Sequence, residues 1–376
     1  MSEAKIRLTP AEVLRGPSPL VLTATLEPIA GDRFQPAGFP EIGHVIYKAP
    51  RKDKDGKPTT ENVCIVDSPA SMANHLESVC QRSAHDLDLV DDLDGMPYIR
   101  CVTGDLADGR LPGDQREVVV TSLTEGHRIA SSYFLDGFQL NNEGARSDAK
   151  LEADLIRRFG IILSGSSKAH PPAEQWWNVF RTIFEIDPNS LVHGVLFPQW
   201  QIKIPRVLTA HLEAFGAGRV DRSGVKFDRL GKTTSGQPIF AVDDATAESI
   251  RATFVLDVSL IESFGRMRGE TQLGLSPQQQ EFLVALALWK VQKLLQSPFR
   301  FRSGCHLKRV ALESGGADAE IEVDIRAAIS AAGFGEPRVT DVFWPREELY
   351  REGRADTGGQ QDGESQNGNQ EPDGDE

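Results

Sequence analysis

The chain has 376 residues, of which 39% are hydrophobic, and carries a formal net charge of −14 at pH 7. This length allows a large buried core, and no run of about 18 apolar residues is present that could span a bilayer. The N-terminus carries Glu3, Lys5 and Arg7 and lacks an apolar segment, so we expect no signal peptide and a cytoplasmic protein. The negative net charge argues against a protein that simply coats DNA.

Acidic and basic residues are unevenly distributed along the chain. Acids concentrate at Asp86 to Asp94 and in the tail from Gly353. Bases concentrate in residues 203–232 and in residues 289–310, and the second segment contains no Asp or Glu. Because exposed charges more than about 10 Å apart are largely screened at 0.1 M salt, a local basic patch on an acidic protein can still bind phosphates.

The sequence contains no recognisable metal or cofactor motif. The four cysteines, Cys64, Cys80, Cys101 and Cys305, form no C-x-x-C pair, which predicts reduced and mostly buried thiols. Phosphate-loop, serine-hydrolase and zinc-protease motifs are absent. The segment from Asp86 to Asp94 lacks the glycine and terminal glutamate of a calcium loop, so we interpret it as a solvated acidic turn. We therefore predict no cofactor and no metal.

Strand and helix signals alternate along the chain. The predicted strands are Leu20 to Leu26, Val63 to Val66, Val118 to Leu123, Thr253 to Leu260, Phe299 to Val310 and Arg338 to Phe343, and Leu191 to Pro205 is predicted to be extended. The predicted helices begin at Ser68-Pro69, at the capping box Ser122 to Glu125 (continuing through His127 to Tyr133), at Ala149, at Ser276-Pro277 and at Ala319. The helix from Gln278 to Gln296 is apolar almost all round, which indicates burial.

This alternation predicts an α+β fold of the ferredoxin-like type, with helices on one face of a sheet. The predicted domain covers residues 1–350 and contains three irregular loops, 28–57, 104–115 and 219–237. Loops of this length in a compact domain are usually functional or disordered. Residues 351–376 lack aliphatic side chains after Ala355, which predicts a disordered acidic tail.

The loop after the first long strand is a candidate nucleic-acid contact. Arg33 could bind phosphate, Phe34 and Phe39 could stack on bases, and Gln35 lies between them, in a glycine-containing segment. The alternative is an ordinary loop in which both phenylalanines fill the core.

Two further candidates lie at predicted helix starts. Backbone N–H groups after Ser68, together with Ser71 and Asn74, could bind a phosphate, although a plain helix cap explains the same residues. His127 and Arg128 could form an acid–base pair for RNA cleavage or a phosphate clamp, or His127 could be a surface residue without a role.

The strand from Phe299 offers a basic stripe. Alternation places Arg300 and Arg302 on the face opposite the phenylalanines, with Lys308 beyond them. The alternative is a solvated face paired with acids. Arg206 precedes a glycine-containing loop that carries five further cations up to Lys232, among them Arg219. This pattern predicts a mobile basic loop that closes over a nucleic-acid strand.

Four segments together resemble a known family. They are LVLTATLEPIAGDRFQPAGFPEIG, VCIVDSPASMANHLE, TSLTEGHRIASSYFL and RFRSGCHLKRV, beginning at Leu20, Val63, Thr121 and Arg300. They resemble the backbone subunit of type I-G (formerly I-U) CRISPR Cascade surveillance complexes, a member of the RAMP superfamily. The resemblance extends from about Pro19 to Pro345 and excludes the acidic tail.

The resemblance implies a fold and a function. It implies a modified RNA-recognition-motif (ferredoxin-like) palm with inserted finger and thumb elements. It also implies a non-catalytic subunit whose copies coat the guide crRNA as a helical filament beside other Cascade subunits. The bases then remain free to pair with a target DNA strand, and the guide supplies sequence specificity.

The resemblance also assigns residues. Those it places near the RNA are Arg33, Phe34, Gln35, Ser71, Met72 and Asn74. It places His127 and Arg128 at the start of a helix of the family, where we predict that they also bind RNA, and the segment from Arg219 to Lys232 corresponds to the thumb. Related subunits cleave RNA with an acidic loop residue. A RAMP-family endoribonuclease that uses His127, Asp221 or Asp228 is therefore the alternative function.

Overall fold

The computed structural model describes residues 5–38, 43–162, 171–220 and 243–349. Predictions that concern Phe39, Asp221, Asp228, most of the loop 219–237 and the acidic tail 351–376 lie outside the described residues. No helix among the described residues is long and apolar enough to cross a membrane.

The described residues form helices and short strands in a mixed order. The helices are α1 (Pro10–Leu14), α2 (Pro69–Ser78), α3 (Ser132–Leu135), α4 (Leu151–Phe159), α5 (Trp176–Ile186), α6 (Pro188–His193), α7 (Val258–Glu262), α8 (Pro277–Leu295), α9 (Ile325–Ala332) and α10 (Arg346–Leu349). The strands are β1 (Ile6–Leu8), β2 (Leu20–Pro28), β3 (Ile46–Lys52), β4 (Pro58–Asp67), β5 (Tyr98–Thr103), β6 (Glu117–Thr121), β7 (Phe138–Leu140), β8 (Arg146–Lys150), β9 (Val195–Phe197), β10 (Ile202–Ile204), β11 (Leu208–Phe215), β12 (Gly218–Val220), β13 (Asp244–Thr246), β14 (Ser249–Leu256), β15 (Gly265–Arg268), β16 (Thr271–Gly274), β17 (Phe299–Arg302), β18 (Cys305–Ser314), β19 (Ala317–Ile321) and β20 (Val339–Phe343).

Four antiparallel strands form the centre of the main sheet, in the spatial order β18, β2, β14 and β11. Helices α2, α5 and α6 connect β2 to β11, and α8 connects β14 to β18. The central strands therefore follow a β-α-β-β-α-β path. Side chains of β2 alternate, and Leu22, Ala24 and Leu26 are buried because α2, α6 and α8 pack together on this side of the sheet. The predicted α+β architecture is confirmed.

Further strands extend the main sheet at both edges, and five other strands form a second sheet. Beyond β11 lie β4 and β3; beyond β18 lie β19 and β1, and β17 forms a hairpin with β18. A second sheet, which the sequence did not predict, has the order β6-β5-β20-β7-β8. Its strand β20 runs parallel to β5 and antiparallel to β7. One hydrophobic core contains residues of both sheets, for example Leu22 and Ile99.

Helix α8 is the central helix of the core, as its composition predicted. Its N-terminus has the capping box formed by Ser276 and Gln279, and its apolar side chains are buried on almost every side. Lys290 is also fully buried in this helix. The four cysteines are free and buried, as predicted, and burial raises the pKa of the Cys64 thiol to about 12.

Several predicted elements have other boundaries than expected, because a helix cap or a turn glycine lies within the predicted segment. Strand β14 ends at Leu256, and Asp257 then caps α7 by accepting a hydrogen bond from the Leu260 N–H. Asp324 similarly caps α9, so the helix predicted from Ala319 begins only at Ile325, and Ala319 to Ile321 belong to strand β19. The predicted strand from Phe299 turns back at Gly304, whose φ of +77° suits glycine.

Two other segments differ from prediction. The capping box at Ser122 starts a turn followed by a 3₁₀ turn and the short α3, because the Thr124 hydroxyl bonds back to Thr121 and not forward along a helix. The extended segment predicted from Leu191 instead contains the end of α6 and the β9–β10 hairpin. The acidic segment from Asp86 is not simply solvated, because several of its carboxylates form ion pairs with Arg82, Arg100 and Lys293.

Candidate nucleic-acid interface

Strand β4 leads directly into the N-terminus of α2. The Ser68 hydroxyl accepts a hydrogen bond of 3.2 Å from the Ser71 N–H, which confirms the predicted cap. Ser71 is partly exposed and Asn74 is exposed, whereas Met72 is fully buried in the core. The expected RNA contact of Met72 is therefore not available on this surface, because the period of the helix turns that side chain inward.

Asp67, at the end of β4, is buried, and its carboxylate contacts Arg302, His75 and the Ser68 N–H. Arg302 Nη2 donates to Asp67 Oδ1 over 2.8 Å, and His75 Nε2 lies 2.9 Å from Asp67 Oδ2. Burial alone would raise the pKa of Asp67, but the hydrogen bond with His75 and the charge of Arg302 lower it below its ordinary value. Ser71 Oγ lies 3.4 Å from the same His75 Nε2. A serine–histidine–aspartate relay needs both ring nitrogens, so this cluster is not one.

The predicted stripe of Arg300, Arg302 and Lys308 is not continuous. The β17–β18 pairing shifts register between Arg300 and Arg302, so Arg302 turns toward Asp67 while Arg300 stays exposed and hydrogen-bonds Ser303. Lys308 lies on the other strand and pairs with Glu27 at 2.8 Å. The absence of acids from residues 289–310 was misleading, because β4 and β2 supply the partners.

The loop after β2 reaches the same end of the main sheet. Phe34 is 1% exposed and exchanges two backbone hydrogen bonds with Ala245, so its ring fills the core and is not available to stack on a base. Arg33 is exposed and lies 3.9 Å from Asp244. The Gln35 N–H donates to the Gly304 carbonyl in the β17–β18 turn, which brings Arg33 and Gln35 near Arg302.

Arg128 is a structural residue. Its guanidinium is buried and donates two hydrogen bonds, of 2.8 and 2.7 Å, to the carboxylate of Glu77 on α2. It also donates to the carbonyl of Gly194, so the predicted phosphate clamp is occupied by protein groups. The side chain of the neighbouring His127 is 80% exposed and contacts Glu125.

A cavity of about 300 Å³ lies between the loop 126–128 and the β9–β10 hairpin. Its lining includes His127, Arg128, His193, Lys203 and Arg206. Among the described residues, neither Lys203 nor Arg206 has a carboxylate within ion-pair distance. Arg206 Nη1 lies 3.5 Å from the Pro69 carbonyl in the first turn of α2. The cavity and the start of α2 therefore belong to one surface.

Some of the residues that the sequence predicted to bind RNA therefore lie together on one surface. Arg33, Gln35, Ser71 and Arg302 lie around the start of α2, with His127 and Arg206 beside it. Residues that lie elsewhere or face inward are Phe34, Met72, Arg128, Arg219, Arg300 and Lys308. Arg219 belongs to the β12–β13 ribbon, where its Nε donates to Asp243 over 2.8 Å.

Lys203 and His193 were not singled out from the sequence. The pairing of β9 with β10 places Lys203 opposite Leu196, and both side chains are exposed. Alternation of buried isoleucines and an exposed lysine in Ile202-Lys203-Ile204 is the signal that could have identified Lys203. No local signal identifies His193, whose position depends on the packing of α6 against α8.

The described residues thus form an α+β protein in which Lys203 and Arg206, with no carboxylate of these residues within ion-pair distance, lie beside a cavity. A sequence profile described as CRISPR-associated protein GSU0053 matches residues 20–219. The chain belongs to this CRISPR-associated family. This supports the predicted resemblance at the level of a CRISPR-associated protein.

Comparison with solved structures finds similarity to Csc2 of Thermofilum pendens, at 11% identity, over 88% of this chain and 76% of that chain. The TM-score is 0.28, which is too low to establish a shared fold. Among curated proteins, no sequence match is found.

Proposed function

We propose that this chain is the guide-RNA-binding backbone subunit of a CRISPR surveillance complex of type I-G. In this proposal several copies stack along the spacer of a crRNA in a cytoplasmic ribonucleoprotein, next to other Cascade subunits. Each copy holds the sugar–phosphate backbone, so that the bases remain free to pair with target DNA. Membership of a CRISPR-associated family supports this proposal.

The observation that carries the proposal is the pair Lys203 and Arg206. These cations lie beside a cavity and the start of α2, and have no carboxylate partner among the described residues. Unpaired cations on an otherwise acidic protein favour phosphate, because RNA releases condensed counterions when its phosphates are neutralised. Arg33, Gln35 and Ser71 extend the same surface, whereas Arg302 beside them is paired with Asp67.

The path of the central strands is compatible with the proposed RNA-recognition-type palm. Their β-α-β-β-α-β connection and antiparallel order, β18-β2-β14-β11, support a ferredoxin-like arrangement. The open face of β2 and β14 carries mainly polar side chains such as Thr25, Arg251 and Thr253. It lacks a pair of central aromatic rings for base stacking, which favours backbone binding at the end of the sheet.

We further propose that the subunit is not an enzyme. General acid–base cleavage of RNA needs two titrating groups on either side of one phosphate. Among the described residues the ring of His127 hydrogen-bonds only Glu125, and the other histidine at the cavity, His193, is fully buried. Incubating the purified chain with repeat RNA and with guide-paired RNA tests this part. Cleavage that is lost in His127→Ala would favour the ribonuclease alternative.

The binding proposal is tested by the salt dependence of RNA affinity. We expect the double variant Lys203→Ala/Arg206→Ala to bind single-stranded RNA more weakly for every sequence. The negative slope of log K against log[salt] should become shallower by about 0.7 for each lost phosphate contact. The matched control is Lys308→Ala, which removes a lysine paired with Glu27. Unchanged affinity and slope in the double variant would show that RNA binds elsewhere.

A further inference from the structure

Lys290 is a fully buried cation without a carboxylate partner among the described residues. Its ammonium group donates a hydrogen bond to Asn189 Oδ1 and lies 3.0 Å from His193 Nε2. The nearby carboxylate of Glu77 is bound by Arg128. A buried charge is costly unless it is compensated, so this part of the core favours an additional negative charge.

The other buried carboxyl group of this region does not supply a full countercharge. Asp187 Oδ2 accepts a hydrogen bond of 2.6 Å from Ser190, and Oδ1 has no hydrogen-bond partner in the described part of the chain. Burial raises the pKa of Asp187 to about 7. Near pH 7 about half of this carboxyl group is protonated, so it does not fully offset the charge of Lys290.

The contact with Lys290 fixes the tautomer of His193. An ammonium group can only donate hydrogen bonds, so His193 Nε2 accepts and the neutral ring carries its proton on Nδ1. Burial, followed by the positive charges of Lys290 and Arg128, lowers the pKa of His193 well below its ordinary value. The ring is therefore neutral, and its Nδ1–H is a buried donor with no acceptor among the described residues.

His193 also lines the cavity between the loop 126–128 and the β9–β10 hairpin. His193 is fully buried, whereas Lys203 is exposed and Arg206 is partly exposed. The volume of about 300 Å³ corresponds to roughly ten water molecules at ~30 Å³ each. That is room for a phosphate group together with some of its hydration.

We propose that this cavity binds one phosphate group, with His193 Nδ1–H as a buried donor and with Lys203 and Arg206 as its cations. The buried charge of Lys290, transmitted through the His193 ring, would add to the attraction for an anion. If the phosphate belongs to RNA, this inference rests on the proposed function. The donors of the cavity fit either an internal phosphodiester or a terminal phosphate.

Inorganic phosphate is the direct probe for the cavity. We expect the full chain, free of RNA, to bind phosphate, and we expect Lys290→Met to weaken that affinity about tenfold or more, because a charge-assisted hydrogen bond is lost. The matched control is Lys293→Met, one turn further along α8, whose lysine pairs with Asp92 outside this cluster. Calorimetry measures both affinities. No phosphate binding, or equal binding by the wild type and Lys290→Met, would overturn the proposal.

A second measurement remains decisive if Lys290→Met does not fold. In the unaltered chain labelled with ¹⁵N-histidine, addition of phosphate should shift the Nδ1–H resonance of His193. A His193 resonance that stays constant while phosphate binds would place the anion elsewhere and overturn the proposal.

Binding of short RNA oligonucleotides distinguishes a terminal phosphate from an internal phosphodiester. It also distinguishes phosphate binding in the cavity from RNA binding elsewhere on the protein. A terminal site requires tighter binding of a 5′-phosphorylated RNA than of its 5′-hydroxyl form, with the difference lost in Lys290→Met. An internal site requires equal binding of the two forms, weakened by Lys290→Met. RNA binding that Lys290→Met leaves intact would refute the phosphate cavity while the proposed function stands. No RNA binding by the wild type would refute the proposed function.

Discussion

Glu77 and Arg128 form a buried bidentate ion pair, with hydrogen bonds of 2.7 and 2.8 Å, although they are 51 positions apart in sequence. The pair attaches the loop after β6 to helix α2. Asn189 donates a third hydrogen bond to Glu77, over 2.7 Å. The position of the loop beside the cavity therefore depends on a carboxylate inside the core.

We expect Glu77→Gln to destabilise the protein by about 3–5 kcal/mol, because Arg128 would keep a buried charge without a countercharge. Urea unfolding measures this change. The control is Glu336→Gln, whose partner Arg338 lies at the surface, where such pairs contribute about 0–1 kcal/mol. Similar losses for both variants would contradict the structural role of Glu77.

Arg302 and Arg300 should behave differently, although they are two residues apart in one strand. Arg302→Ala leaves the buried Asp67 carboxylate with His75 and the Ser68 N–H but without its arginine, and we expect a loss of about 2 kcal/mol or more. Arg300→Ala removes an exposed side chain, and we expect a change within about 0.5 kcal/mol. Urea unfolding of both variants checks the difference, and an equal effect would contradict the register shift in β17.

Phe34 distinguishes a core residue from a base-stacking residue. We expect Phe34→Ala to lower the free energy of unfolding by about 3–5 kcal/mol, because a fully buried ring leaves a cavity. Phe34→Leu retains most of the apolar volume and should cost less. If Phe34→Leu folds well but binds RNA more weakly, the Phe34 ring contacts RNA. The conformation that binds RNA would then differ from this structure, in which the ring is buried.

Asp187 gives the folded state a pH dependence of unusual sign. Its pKa is about 7 in the fold, against an ordinary value of 3.8, so the folded state holds this proton more tightly than the unfolded state. Its contribution to stability is fully present below pH 3.8 and is lost as the pH rises through about 7. Urea unfolding across this range should therefore show a smaller decline for Asp187→Asn than for the wild type. Asp148→Asn, at an exposed position of β8, should retain the wild-type decline.

Local sequence patterns predicted the elements that local interactions decide. The caps at Ser68 and Ser276, the buried helix α8, the strand from Leu20 and the αL end of α9 at Gly333 are all present. Their hydrogen bonds join residues three or four apart, so the necessary information lies within a short segment. The second sheet was missed because its parallel pair, β5 and β20, joins strands more than 230 residues apart.

The candidate surface was predictable only in part. Arg206, Ser71 and His127 were named from the sequence and lie on it, whereas Phe34 and Met72 were named and are buried. Glycine, arginine and phenylalanine in a loop are compatible with both a binding loop and a core plug. Only the packing of Phe34 against β13 decides between them.

The amino-acid sequence by itself determined the capped helices, the alternation of the central strands, the buried thiols and the places where cations are numerous. Only the tertiary structure decided which cations have partners, because ion pairs join residues distant in sequence, as Arg302 with Asp67 and Lys308 with Glu27. Lys203 and Arg206 remained without carboxylates among the described residues, and buried Lys290 came to lie against His193. The charge that a binding partner meets depends on this three-dimensional pairing, since a paired cation is largely neutralised within a few ångströms.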